Sequence, residues 1–69
     1  MTMYNIDLLR RVPGRAEPAV IETANALSDN LKQVIDQAVD LLDRRGRSIG
    51  ADSVRVRENG GPVIWVSSS

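Results

Sequence analysis

Three consecutive residues, Ser28, Asp29 and Asn30, decide what this 69-residue chain can fold into. Around them, Val20, Ala24, Leu27, Leu31, Val34, Ala38 and Leu41 keep a 4,3,4,3 spacing, so everything from Pro18 to Arg45 can be written as one helix. Such a helix would span about 42 Å at 1.5 Å per residue, longer than a domain of this size is wide. It would also place all three short polar residues in a helix interior. Their side chains bond nearby backbone donors and favour caps instead. The triplet therefore predicts a strand over "AVIETANAL", residues 19–27, and a helix that starts near residues 28–30. The resulting order is ββαββ; the single long helix would give βαββ.

The remaining elements follow from side-chain periodicity. "MYNIDLLRRV" predicts a first strand with Tyr4, Ile6 and Leu8 on one face and Asn5, Asp7 and Leu9 on the other. "PGRAEP" interrupts any ladder and predicts a loop. From Leu31 onward, Leu31, Val34, Ile35, Ala38, Leu41 and Leu42 form one apolar stripe. Arg44 and Arg45 suit the negative end of the helix dipole, and Gly46 reads as its left-handed stop. "SVRVRE" alternates, with Val54 and Val56 inward and Arg55 and Arg57 outward. Asn59-Gly60-Gly61 is a hairpin turn signal, and "PVIWV" returns as the last strand. Beyond it, residues 66–69 read as a frayed tail. The chain is thus one α+β domain, residues 1–69, with one helix on one face of an antiparallel sheet of two hairpins.

The "YxxxLLRR" pattern at Tyr4 to Arg11, the polar cap before a helix rich in alanine and leucine, and the closing "VRVRENGGPVIWV" hairpin resemble a group of small bacterial ββαββ domains of unknown function. The resemblance implies a fold and carries over no activity and no catalytic residues.

Composition narrows the classes of function. The chain has no cysteine and no histidine, which removes disulfides, thiolate chemistry and the commonest zinc and iron ligands. A domain this small is marginally stable on its own, so a partner chain is the remaining source of added burial. Basic and acidic residues balance at nine each, which leaves no global field for nucleic acid or an anionic membrane. No apolar run is long enough for a membrane span, and "MTMYNIDLL" lacks the features of a signal peptide; a cytoplasmic setting is expected. Neither serine nor Thr23 has a histidine to activate it, so no enzyme, catalytic residue or cofactor is expected. Asp36, Asp40 and Asp43 share a helix face, which reads as a solvated surface rather than a metal site.

Two surface constellations remain. The last strand is apolar on both faces: if Val63 and Trp65 pack on the helix, Ile64 and Val66 join Leu9 on the open face, and in the reverse arrangement Trp65 lies outside. Either way an apolar patch is left, so Leu9, Ile64, Trp65 and Val66 are the candidate interface of a homodimer or of a contact with another protein. The second is a candidate anion or nucleic-acid patch of Arg10, Arg55 and Arg57, the alternative reading being a nucleic-acid-binding regulator. Sheet-face binders of nucleic acid add aromatic stacking platforms, and the chain has only Tyr4 and Trp65. The simpler role for Arg55 and Arg57 is cross-strand pairing with Glu22 or Glu58.

Overall fold

The computed structural model describes residues 1–68, and side chains through residue 67. Its elements are β1 (Thr2–Arg10), β2 (Ala19–Ser28), helix α1 (Leu31–Leu41), β3 (Ser53–Glu58) and β4 (Val63–Ser68). This is the ββαββ order. The strands form one antiparallel sheet in the order β2-β1-β3-β4, so β1 and β3 are central and both hairpins end in an edge strand.

The helix begins where the polar triplet places it. Asn30 is the N-cap in extended conformation, and its Oδ1 accepts the Lys32 backbone N–H at 3.0 Å. Ser28, almost buried, closes β2 by accepting the Asn30 backbone N–H on Oγ at 3.0 Å. The start of the helix is thereby separated from the strand before it.

The far end differs from the sequence expectation. Gly46 is no stop: it keeps right-handed helical angles within a π-helical turn, Leu42–Gly46, and a further α turn, Arg47–Ile49, follows. The left-handed residue is Gly50, φ 91°, and the Ala51 N–H closes back on the Gly46 carbonyl at 2.7 Å in a Schellman-type end. Gly46 is required for a different reason. A Cβ there would lie 2.8 Å from Leu42 Cδ1, 3.2 Å from the Ala51 Cβ and 3.5 Å from Leu8 Cδ2, so the bare backbone lets the helix settle on β1.

Alternation along the strands puts Tyr4, Ile6 and Leu8 of β1 with Val54 and Val56 of β3 and Ala26 of β2, all buried, beneath Val34, Ala38 and Leu42 of the helix. Trp65 and Leu41 pack against this cluster while partly exposed. The buried stripe is narrower than the periodicity indicates, since Leu31 is 37% exposed and Ile35 only half-buried. β4 is longer than expected: Ser67 and Ser68 stand opposite Val54 and Ser53, so the strand runs through Ser68 instead of fraying from 66, and Ser69 lies outside the described residues.

The core predicts an ordered mutational series. Leu42→Ala, at a buried position, is expected to lower stability by about 2–5 kcal/mol. Leu31→Ala should fall well short of that, as its side chain already meets water. Chemical denaturation of both variants checks the ranking, and equal losses would contradict this core.

Candidate functional site

One helix covers one face of the sheet, so the opposite face must be closed by its own side chains. Its central strand β1 contributes Asn5, Asp7 and Leu9, which stand opposite Asn25, Thr23 and Val20 of β2 and opposite Arg57, Arg55 and Ser53 of β3. The middle of this face is a polar network around a carboxylate whose side chain has no exposed surface. Thr23 Oγ1 donates to Asp7 Oδ1 at 2.7 Å, and the Nε groups of Arg55 and Arg57 both donate to Oδ2 at 2.7 Å. Beside it, Asn5 Nδ2 donates to Asn25 Oδ1 at 2.8 Å. Burial by itself pushes the Asp7 carboxyl up, but the hydrogen bonds from Arg57, Arg55 and Thr23 outweigh it and hold the group down at about 2 instead of 3.8. Asp7 is therefore a fixed anion shared by two cations, and the centre of the face keeps one net positive charge.

The candidate residues are distributed as follows. Arg55 and Arg57 come together, while Arg10 stands opposite Ala19 at the end of β1, its Nη1 3.7 Å from where a Cβ on Gly50 would lie. The cross-strand acid is Asp7 and not Glu22 or Glu58. A bulge in β2 skips Ile21 and places Glu22 opposite Leu8, on the helix side, where Arg45 binds it through two hydrogen bonds, one of them Nη2 to Oε1 at 2.7 Å. Glu58 stands opposite Tyr4.

On β4 a second bulge, at Ile64, breaks the alternation. Trp65 stands opposite Val56 and packs against the helix-side core, whereas Val63 stands opposite Arg57 and Val66 opposite Arg55. Strict alternation would put Val63 and Trp65 on one face, and the bulge separates them. Val63, Ile64 and Val66 are 46%, 37% and 56% exposed. Leu9 is on the open side as expected, yet it is only 2% exposed, and it lines a groove with residues of the β1–β2 loop, residues 11–18. That groove, of about 360 Å³, is lined by Leu9, Asp52 and Val66 together with Arg11, Arg15 and Pro18 of the loop.

Neither Asp7 nor the groove stands out in the sequence. The available signal for Asp7 is a lone acid within an apolar strand, on the same alternation phase as two arginines of a later strand. On the helix, Asp40 and Asp43 pair with Arg44 and Arg47 one turn on, and no cluster of three potential metal ligands occurs among the described residues. No described helix is long and apolar enough to cross a membrane. No family model, curated protein or solved structure matches the chain.

The depressed carboxyl predicts an acid limb of stability. A group lowered on folding stabilises fully above its unfolded value of 3.8, and that contribution is lost as the pH falls through about 2. The loss belonging to Asp7 is about 2.5 kcal/mol, from the difference between 3.8 and about 2 at ~1.4 kcal/mol per pKa unit. Denaturation of the wild type and of Asp7→Asn across this range should show the two curves converging toward low pH. A constant gap would contradict the assignment.

Proposed function

We propose that this chain is a non-enzymatic binding or structural module that associates with a second copy of itself through the free edge of β4. The observation that carries the reading is the character of that edge. Residues 63–68, "VIWVSS", contain no charged side chain, and Val63, Ile64 and Val66 are exposed. Edge strands present unpaired backbone groups, and proteins that keep them single protect them with charges, prolines or bulges. The other edge strand, β2, carries Glu22 and a bulge. β4 has a bulge at Ile64 and Pro62 before its start, which leaves the stretch from Trp65 onward without either device.

Charge favours edge pairing over stacking of two open faces. Those faces carry Arg55 and Arg57 against Asp7, with Arg11 and Arg15 near Asp52 at the groove, an excess of two positive charges, four minus two. Two such faces in register would oppose like charges. Pairing in the plane of the sheet avoids this and extends the ladder to eight strands. The same placement weakens the case for a nucleic-acid regulator: Arg10 stands apart, Arg55 and Arg57 are engaged with Asp7, and Tyr4 and Trp65 lie on the helix side, away from the arginines they would have to assist.

Sedimentation should show a dimer at micromolar concentration. Ile64→Lys should yield a folded monomer, whereas Trp65→Lys, which puts a charge against the core, should unfold the chain. A wild type that sediments as a monomer at high micromolar concentration would falsify the proposal.

A further inference from the structure

Five of the eight arginines, Arg44, Arg45, Arg47, Arg55 and Arg57, form ion pairs with carboxylates. Arg10, Arg11 and Arg15 form none among the described residues, and two of these three, Arg11 and Arg15, line the same cavity. The cavity lies on the open face, between the β1–β2 loop and the sheet. At about 360 Å³ it falls within the range of small-molecule sites. Its apolar lining is Val66 of the sheet with Ala16 and Pro18 of the loop, Leu9 being almost fully buried beside them, and Asp52 and Ser53 add polar lining.

The loop is tied down at its root. The Arg11 backbone N–H donates to Asp52 Oδ2 at 2.9 Å, and Arg15 N–H closes a turn on the Val12 carbonyl at 3.2 Å. Gly14 takes φ 82° inside that turn, a conformation that L side chains rarely adopt. The cavity therefore combines an apolar lining with two cations and one carboxylate, Asp52, an excess of one positive charge. A ligand that satisfies both has an anionic head and an apolar body.

We propose that this cavity binds a small organic monocarboxylate, its carboxylate held by Arg11 and Arg15 and its apolar chain lying on Val66, Ala16 and Pro18. Guanidinium groups match a carboxylate through paired N–H donors, and the apolar lining supplies the burial that a bare anion lacks. Edge pairing at β4 extends the sheet in its own plane and leaves this face open.

Octanoate is a suitable probe, with acetate as the head without the tail and octanol as the tail without the head. Titration of the full chain, followed by amide chemical shifts, should give saturable changes at Leu9, Ala16, Ser53 and Val66 at millimolar octanoate. Acetate and octanol should each bind at least about tenfold more weakly. Arg15→Gln, an exposed loop substitution, should weaken octanoate by a similar factor and leave the helix signals in place, whereas Arg44→Gln, on the helix surface, should leave affinity unchanged. Octanol binding as tightly as octanoate, equal losses in the two arginine variants, or no saturable shift would each overturn the assignment.

Discussion

The open face of this sheet depends on one buried anion. A helix can lie across only one side of four strands, and a sheet open on the other side leaves its central strands poorly covered. Here Asp7 gathers Thr23 from β2 and Arg55 and Arg57 from β3, so one carboxylate joins three strands. The arginine stems lie over the sheet and do part of the covering that a second helix would otherwise do. The interaction also fixes register. A slip of one residue in β1 would turn Asp7 into the apolar layer and Leu8 out of it, with a large penalty for an unpaired buried charge.

Much of the architecture is legible in the residues, for local reasons. Ser28 and Asn30 act as the cap and closure that their chemistry favours, and Tyr4, Ile6, Leu8, Val54 and Val56 face the core as period-two alternation requires. What is not legible depends on contacts distant in sequence. Gly46 has the sequence context of a helix stop, but its role comes from close approach to Leu8 and Ala51, which only the packed fold reveals. The bulges at Ile21 and Ile64 shift residues between faces, and no residue type marks either of them. Pairing of Arg55 and Arg57 with Asp7 spans most of the chain, so periodicity supplies the face without naming the partner.

The candidate surface was legible in the same partial way. An apolar last strand is visible as a run of letters, but its bulge decides that Trp65 belongs to the core while Val63 and Val66 do not. Leu9 is visible as an apolar residue on the open face, whereas its burial, beside a groove that it lines with the β1–β2 loop, is visible only in the fold. Arg10, Arg55 and Arg57 look alike in the sequence. The fold gives the last two a shared anion in the middle of β1 and leaves the first at that strand's C-terminal end, opposite Ala19.

The position of β1 also bears on how the chain reaches this arrangement. β1–β2 and β3–β4 are hairpins between neighbours in sequence, and each can form with little loss of chain entropy. The seam between β1 and β3 brings Tyr4 to Glu58 and closes a loop that contains β2 and the helix. Closing that loop costs more chain entropy than closing either hairpin. The seam thus joins two local hairpins, with the helix in the chain between them, into one sheet. The Asp7 ion pairs with Arg55 and Arg57 lie on that seam, so they can form only once the two halves meet and serve as a latch on the assembled fold.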